Sequence, residues 1–384
     1  MSSLKSINEA RGGTLCTVGD FVIPILKGSY REMGAQYGVL MKDHMQKAYD
    51  IVVQPQVDAG VITTDIAKLW TDRALSTFST RNKDFYAGMQ EGSGWPIEKV
   101  GMLDQVNEFG VFQSKLHSFA GCTSILAWGA ASSDGEMYIG RNMDWSAAFN
   151  EFAQVLTVLN PTAGGYRYAN LGWPGMITLF TGINEHGVYI DLHDGTSMGG
   201  SVIFADRAPF PNALCDILSE TESLEAVVRR FNTARTSMGL ILSIADGKSG
   251  VSMECASWGD HRLRKPDGNT LAVANTFFNS DWGIHQRDTV SHSIERFNNM
   301  NARLAENHGN IDADKTRALM DLRLFNEDGT LRKDGGCTKP TKQDADQTTH
   351  QMVTDVSRRK IWLKVPNPDH LTDWEAVDLT ELWR

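Results

Sequence analysis

The stretch 118-SFAGCTSILAWGAASSDGEMYIGRNMDW-145 marks the point where the chain changes from helical to strand-like patterns. One cysteine, Cys122, directly follows Gly121 and begins an apolar run. A turn at 132–135 leads to a second run that ends in Arg141 and Asp144. In an antiparallel hairpin the end of the second strand lies beside the start of the first. We therefore expect Arg141 and Asp144 to lie close to Cys122.

This hairpin predicts a reactive thiol. A cysteine is a nucleophile as its thiolate, and a neighbouring cation such as Arg141 lowers the thiol pKa. Asp144 would orient an amine, for which the α-amine of Cys122, released by a cut after Gly121, is a candidate. Its pKa of about 8 suits proton transfer at neutral pH. A single cysteine on an apolar strand is more often a small core residue, so both interpretations remain open on these residues alone.

Composition excludes several classes of function. The 384 residues carry a net charge of −10, whereas nucleic-acid binding needs clustered Lys and Arg. The early apolar run 21–26 is interrupted by Pro24 and is too short to cross a bilayer. The first residues lack the apolar core of a signal peptide, which predicts a cytoplasmic protein with no membrane partner. Five widely spaced cysteines without a CxxC motif support neither a disulfide framework nor a zinc site.

Hydrophobic periodicity predicts two unequal parts. The first third reads as mainly helical, with helices over 31–53 and 63–78 and a further one after Pro96. The remainder reads as short strands separated by turns, interrupted by a few helices. The predicted strands cover 123–130, 136–140, 153–159, 166–171, 176–180, 187–192, 239–245, 251–256 and 271–275, with two more after a polar loop at 327–349. The predicted helices of this part cover 211–220, 223–233 and 289–307.

His186 and His193 lie seven residues apart, with Asp191 and Asp194 close to them in the sequence. Their spacing matches no familiar set of metal ligands. We therefore predict neither a metal site nor a cofactor.

Four ordered segments resemble the N-terminal-nucleophile cysteine hydrolases, a group that includes choloylglycine hydrolases, acid ceramidase-like amidases and the isopenicillin-N acyltransferase family. The segments are GCTS at 121–124, GRNMDW at 140–145, GINEHG at 182–187 and LAVAN at 271–275. The resemblance spans residues 122 to about 282. The long region before Cys122, which begins its helical part with GSYREMGAQYG at 28–38, resembles the isopenicillin-N acyltransferase-like branch.

This resemblance implies an α+β fold, a four-layer αββα sandwich with two antiparallel sheets between helical layers. It also implies that the chain cuts itself between Gly121 and Cys122. Residues 1–121 would form a helical segment that stays packed on the core. Residues 122–384 would form the catalytic domain, which begins at Cys122.

The resemblance assigns roles to individual residues. Cys122 would be the nucleophile, with its own α-amine moving the proton, Arg141 beside the thiol and Asp144 holding the amine. The side chain of Asn275 would donate to the oxyanion, and Asn184 would contribute a backbone N–H to the same oxyanion hole. An arginine that supports the site corresponds to Arg296. The aromatic side chains expected to line a substrate pocket are Trp145, Phe149, Trp173 and Phe277.

The function implied is cleavage of a linear amide through a thioester on Cys122. Water would make the enzyme a hydrolase and an amine an acyltransferase, and the motifs do not separate the two. The partners expected are a small-molecule amide and the two cleaved chains, with a homo-oligomer left open. Two alternatives remain: a non-catalytic binding protein with an inert Cys122, and an uncut Cys–His amidase using His117, His186 or His193.

Overall fold

The computed structural model describes residues 4–114, 121–289, 292–338, 346–366 and 373–383. The strands in these ranges are β1 Lys5–Ala10, β2 Gly13–Val18, β3 Phe21–Gly28, β4 Gly121–Gly129, β5 Gly135–Ser146, β6 Gln154–Pro161, β7 Tyr168–Gly172, β8 Thr181–Asn184, β9 Tyr189–Asp194, β10 Leu240–Ala245, β11 Gly250–Cys255, β12 His261–Arg264, β13 Thr270–Val273, β14 Asp346–Asp355, β15 Lys360–Lys364 and β16 Glu375–Asp378.

The helices of the described ranges are α1 Tyr30–Leu40, α2 Lys42–Val52, α3 Gln54–Asp58, α4 Thr64–Thr77, α5 Thr80–Ser93, α6 Ile97–Ser114, α7 Thr196–Gly199, α8 Phe210–Glu220, α9 Leu224–Phe231, α10 Ser293–Glu306 and α11 Ala313–Met320. Short 3₁₀ turns cover Ala147–Asn150, Ser280–Trp282 and Leu379–Glu381. None of these helices has both the length and the apolar composition that a membrane span requires.

The strands form two sheets. The larger has ten strands in the order β1-β2-β3-β6-β7-β8-β9-β10-β11-β12, and the smaller has six in the order β13-β4-β5-β14-β15-β16. Neighbouring strands are antiparallel except β3 and β6, which pair in parallel with Val22 opposite Val155. This parallel pair corrects the expectation of two purely antiparallel sheets.

Three hydrophobic clusters show that the sheets are stacked between helices. Because side chains alternate along a strand, β4 directs Leu126 and Trp128 into the cluster between the sheets. The same strand directs Ile125 and Ala127 into the cluster beneath α10 and α11. A third cluster joins the outer face of the large sheet to the helices of the first third and to α8 and α9. The predicted α+β, four-layer αββα arrangement is confirmed.

The prediction of a helical segment over 1–121 holds for α1–α6 but misses β1, β2 and β3. Strand β3 joins these three strands to the large sheet by pairing with β6, more than a hundred residues downstream. Local periodicity does not reveal this contact. The same limit explains other differences. The predicted strand at 176–180 is irregular, the observed strand lies at Thr181–Asn184, and α11 and β16 were not predicted.

Helices α1 and α5 approach each other through glycines. Each helix carries two glycines four residues apart, Gly34 and Gly38 on α1 and Gly88 and Gly92 on α5. A Cβ atom on Gly88 would lie 2.1 Å from the carbonyl oxygen of Arg31. The two backbones are therefore in direct contact, and no larger residue fits without separating the helices.

We predict that Gly88→Ala destabilises the protein by about 1–3 kcal/mol, because overpacking forces the backbones apart. The measurement is the free energy of unfolding from denaturant titration. Gly110→Ala in α6 is the matched control, since its Cβ would meet no atom within 4 Å. This control gains up to about 1 kcal/mol from the better helix propensity of alanine. Equal effects of the two substitutions would contradict the close-contact interpretation.

Candidate active site

The β4–β5 hairpin determines which side chains face each other at the site. Its register places Gly121 opposite Asp144, Cys122 opposite Met143 and Ser124 opposite Arg141. The turn between the strands begins and ends with glycines of positive φ, at Gly129 and Gly135. The expectation that the hairpin returns Arg141 and Asp144 to the start of β4 is therefore confirmed.

Every polar group of Cys122 has a partner. Its Sγ lies 3.1 Å from Nη2 of Arg141. Its backbone N–H donates to Oδ1 of Asn275 at 2.8 Å, and its carbonyl oxygen accepts a hydrogen bond from Arg296. The residue is only 1% exposed. The cysteine is thus held from three directions at the centre of the fold.

Two opposing effects set the thiol pKa. Burial raises the pKa of the Cys122 thiol, the positive charge of Arg141 opposes this increase, and Asp144 reinforces it. Burial dominates, so the thiol is held protonated in this conformation. Arg141 is nevertheless in place to stabilise a thiolate when the proton leaves.

A buried network fixes the guanidinium of Arg141. Its Nη2 donates to the carbonyl oxygen of Leu192 at 2.6 Å, and its Nη1 lies 3.2 Å from Nδ1 of His193. His193 Nε2 in turn lies 2.8 Å from Asp191 Oδ1, and Ser124 donates to the other oxygen of Asp191 at 2.6 Å. The sequence prediction missed this network. Its signal was the alternation of Asp191 and His193, which places both on one face of β9.

His193 is neutral in this network. Burial and the charge of Arg141 lower its pKa to about 4. Burial would raise the pKa of Asp191, but His193 and Arg141 bring it below its usual range. The hydrogen bonds are therefore best described as neutral His193 donating from Nε2 to the Asp191 carboxylate and accepting from Arg141 at Nδ1.

The geometry gives the Cys–His alternative no support from the described histidines. The side-chain contacts of Cys122 Sγ are with Arg141, Met143 and the Leu192 carbonyl oxygen. His193 contacts Arg141 rather than the thiol. His186 is exposed and packs against Tyr166, and His117 lies outside the described residues.

Asp144 is buried beside the Gly121–Cys122 bond. Its Oδ1 accepts a hydrogen bond from Thr348 at 2.6 Å. Its Oδ2 is buried and has no hydrogen-bond partner among the described residues. Because Asp144 pairs with Gly121 across the hairpin, this oxygen is available to a new donor at the start of β4.

Asn275 lies just past β13 and is oriented by its neighbours. Its Oδ1 accepts from the Cys122 N–H and from Nη2 of Arg296, at 2.8 Å each. Both partners are donors only, so the carbonyl end of the amide must face them. The Nδ2 group donates to the carbonyl oxygen of Asp194 at 3.0 Å, which uses one of its two N–H bonds. Asn275 therefore contacts the nitrogen of Cys122 through Oδ1, and its Nδ2 has a second N–H bond close to the cysteine.

Asn184 is not at the site, which corrects the expectation of a backbone N–H in the oxyanion hole. That N–H donates to Val188 at 3.0 Å. Its side chain joins the turn after β8 to the carbonyls of Leu218 and Thr221. The pairing of Ile183 with Tyr189 puts Asn184 at the opposite end of β9 from Leu192, roughly 10 Å along the strand. Asn184 is a structural turn residue.

Arg296 reaches the site from α10, on the outer face of the small sheet. It is fully buried and donates to the Cys122 carbonyl oxygen, to Thr123 Oγ1 at 2.6 Å and to Asn275 Oδ1 at 2.8 Å. The predicted supporting arginine is thus in direct contact with the backbone of the cysteine.

A small cavity beside the thiol adjoins a larger outer groove. An inner cavity of about 30 Å³ is lined by Cys122, Met143, Trp145 and polar residues of α6. An outer groove of about 520 Å³ shares Trp145 with it and extends past Phe149. The outer groove is the more open of the two. Asn107, Val111 and Trp145 line both, so the outer groove adjoins the cavity that Cys122 lines.

The four predicted pocket aromatics separate into two groups. Trp145 and Phe149 line the cavities. Trp173 is buried behind them, with its ring centre 4.7 Å from that of Phe149. Phe277 is stacked on Trp282 in the cluster between the sheets. Trp173 and Phe277 line neither cavity, which corrects their assignment as substrate contacts.

The sequence was compared with known proteins. It matches the family described as acyl-coenzyme A:6-aminopenicillanic acid acyl-transferase over residues 131–370, more than half of the chain and beginning after Cys122. A search of curated proteins returned no match.

Several solved structures are similar to this chain. A mutant conjugated bile acid hydrolase from Clostridium perfringens is 14% identical, covering 68% of this chain and 94% of that one, with a TM-score of 0.47. An N-acylethanolamine-hydrolyzing acid amidase from Caenorhabditis elegans is 17% identical, covering 61% and 93%, with a TM-score of 0.40. Penicillin V acylase from Agrobacterium tumefaciens is 14% identical, covering 68% and 87%, with a TM-score of 0.41.

We predict that neutral His193 makes the protein less stable in acid. Since its folded pKa of about 4 lies below the ordinary value of 6.5, the unfolded chain binds the extra proton first. The stability contributed by His193 is complete above pH 6.5 and is lost as the pH falls toward 4. Gln can donate to Asp191 and accept from Arg141 without titrating. The advantage of wild type over His193→Gln should therefore shrink by up to about 1.4 kcal/mol per pH unit between pH 6 and 5.

Urea unfolding of both proteins at pH 7, 6 and 5 measures this difference. His285→Gln is the matched control, because that side chain is exposed and folding changes its solvation little. A constant difference between wild type and His193→Gln over this range would contradict the neutral assignment.

Proposed function

Because the chain belongs to the acyl-coenzyme A:6-aminopenicillanic acid acyl-transferase family, we propose that it is a self-cleaving cysteine enzyme acting on a linear amide. Membership makes it an enzyme of the amide hydrolase and acyltransferase class. The observation that carries the proposal is the 3.1 Å contact between Cys122 Sγ and Arg141. This thiol belongs to the residue that directly follows Gly121, so it lies next to the bond that would be cut. Asp144 lies opposite Gly121 and adds a buried carboxylate, whose Oδ2 has no hydrogen-bond partner in the described part of the chain.

The first step is an acyl shift within the chain. Cys122 Sγ attacks the carbonyl carbon of Gly121, the C–S bond forms and the C–N bond breaks. The thiol proton ends on the nitrogen of Cys122, which becomes a free amine. Water then hydrolyses the thioester, which leaves a carboxylate on Gly121 and restores the thiol. Glycine suits this position because it has no side chain to obstruct the attack.

The new amine explains the arrangement around Cys122 N. In the intact chain this nitrogen donates to Asn275 Oδ1. A free α-amine can make further hydrogen bonds, and Asp144 Oδ2 is the buried acceptor without a partner on the facing strand. An amine held by Asn275 and Asp144 belongs to the same residue as the thiol, so the two groups stay close together. With a pKa of about 8 it can take the thiol proton at neutral pH.

The same groups serve the substrate amide. The thiol attacks the substrate carbonyl, the amine passes its proton to the leaving nitrogen, and the acyl group remains on Cys122 as a thioester. Water or a second amine then releases it. Arg141 stabilises the thiolate before attack. The second N–H bond of Asn275 Nδ2 is our candidate donor to the oxyanion, an interaction whose loss typically costs roughly 10²–10³ in rate.

The two cleaved chains would remain one molecule. Strand β3 pairs with β6 through six residue pairs, from Phe21 opposite Gln154 to Gly28 opposite Pro161. Helices α1, α4, α5 and α6 pack into the same cluster as β9 and β10. A cut after Gly121 breaks none of these contacts. We therefore propose that residues 1–121 stay on the catalytic part 122–384 as a structural subunit.

Self-cleavage can be tested directly on the purified protein. We expect a denaturing gel to show two fragments, residues 1–121 and 122–384, and mass spectrometry to find Cys122 as a new N-terminus. Cys122→Ala should remain a single chain and lack amidase activity. Cys255→Ala, which changes another buried cysteine, is the matched control and should be cut. An uncut wild type with full amidase activity would overturn the proposed mechanism.

A further inference from the structure

The inner cavity beside Cys122 has an acidic wall. Three carboxylates line it, from Asp104, Glu108 and Asp194. Its lining includes no Lys, Arg or His among the described residues. Glu108 is neutralised by Arg73, which lies 2.6 Å away and does not itself line the cavity. The carboxylates of Asp104 and Asp194 have no such cation beside them among the described residues.

Asp104 and Asp194 are buried without a cation. Asp104 accepts hydrogen bonds from the backbone N–H of Ile177 at 2.7 Å and from three side chains, those of Tyr86, Gln105 and Asn212. Asp194 accepts from the backbone N–H of Thr196 at 2.9 Å. Neither forms an ion pair within the described part of the chain. Burial raises the pKa of each carboxyl to about 6, so a bound positive charge would stabilise both.

Unused hydrogen-bond acceptors in the same wall provide an independent observation. Gln105 Oε1, Asn107 Oδ1 and Thr178 Oγ1 are buried and have no hydrogen-bond partner among the residues that the structure describes. Their residues are 1%, 7% and 4% exposed, and all three line the inner cavity. A buried acceptor without a donor costs about 1–3 kcal/mol. A ligand rich in N–H donors would satisfy these oxygens.

We propose that the inner cavity binds a positively charged ammonium group at the end of the substrate's acyl chain, so that the enzyme acts on aminoacyl amides. This inference rests on the proposed function at Cys122. An ammonium group supplies both the positive charge that Asp104 and Asp194 lack and donors for Gln105 and Asn107.

The shapes of the two cavities indicate which half of the amide lies where. The acyl carbon stays bonded to Sγ until water or an amine attacks, whereas the amine product must depart. The enclosed inner cavity therefore suits the acyl group, and the outer groove past Trp145 and Phe149 suits the leaving amine. Water-sized groups can occupy about 30 Å³ of the inner cavity, and a single water molecule needs about 10–15 Å³ on this measure. A compact ammonium fits this space.

Matched substrates test the proposal on the wild-type enzyme. Glycyl, 3-aminopropanoyl and 4-aminobutanoyl amides of one fluorogenic amine are compared with propanoyl, butanoyl and pentanoyl amides, in which a methyl group replaces the ammonium. We expect at least one aminoacyl amide to exceed its partner roughly 10- to 100-fold in kcat/KM, as for a charge-assisted hydrogen bond. Equal rates within every pair, or faster alkanoyl amides, would overturn the ammonium assignment.

Substitutions in the lining of the inner cavity test whether this lining causes the preference for aminoacyl amides. Asp194→Asn keeps the shape and removes the charge, and Asn107→Leu removes an unused acceptor. Each should lower the ratio of aminoacyl to alkanoyl kcat/KM by about tenfold or more. Asp43→Asn, an exposed acid on α2, is the matched control and should leave the ratio unchanged. If the ratio were unchanged in both cavity variants, the wall would not be the recognition site.

Binding to Cys122→Ala separates this proposal from the proposed function. The variant cannot form a thioester, and titration calorimetry with the same amides measures affinity alone. Tighter binding of an aminoacyl amide than of its alkanoyl partner supports the ammonium site, even if no hydrolysis occurs with wild type. Equal affinities overturn it, even if wild type cuts itself and hydrolyses the alkanoyl amides.

Discussion

Two buried guanidinium groups hold the start of β4 from opposite faces, and the rest of the site depends on them. Arg141 lies between the two sheets against Cys122 Sγ, and Arg296 reaches the Cys122 carbonyl from α10 beneath the small sheet. Removing such a charge from water costs several kcal/mol unless hydrogen bonds compensate. The carbonyl of Leu192 and the side chains of His193, Thr123 and Asn275 provide that compensation. The hydrogen-bond acceptors that the two guanidinium groups need therefore hold β4, β9 and α10 in place around Cys122.

This constraint accounts for the four-layer arrangement around Cys122. Arg141 can meet β9 only if the large sheet is stacked on the small one, and Arg296 can meet β4 only if a helix covers the other face. His193 and Asp191 complete the shell around Arg141 without contacting the thiol themselves. The result is a protonated thiol with a stabilising cation already in contact. Such a site needs a proton acceptor, and the amine that self-cleavage would create lies on the same residue.

The inner cavity is built from both parts of the chain, the part before Cys122 and the part that begins with it. Helix α6, from the part of the chain before Cys122, supplies Asp104, Gln105, Asn107 and Glu108 to the inner cavity. The part that begins at Cys122 supplies the proposed nucleophile and the residues that hold it. If the chain is cut after Gly121, the segment that is separated covalently still lines the inner cavity. This division gives a reason for the first third to remain bound by β3 and the helices rather than depart.

The sequence by itself determined the β4–β5 hairpin that carries Cys122, because the pairing of two strands through a short turn is a local property. Gly121, Cys122, Arg141 and Asp144 could be placed together by counting from the turn, and motif resemblance added Asn275 and Arg296. It also determined the layered fold class. Only the tertiary structure decided that β3 joins β6, that His193 and Asp191 surround Arg141, that Asn184 belongs to a distant turn, and that Phe277 is core. These outcomes depend on contacts between residues far apart in the chain, and periodicity along one strand or helix carries no information about which distant element will face it.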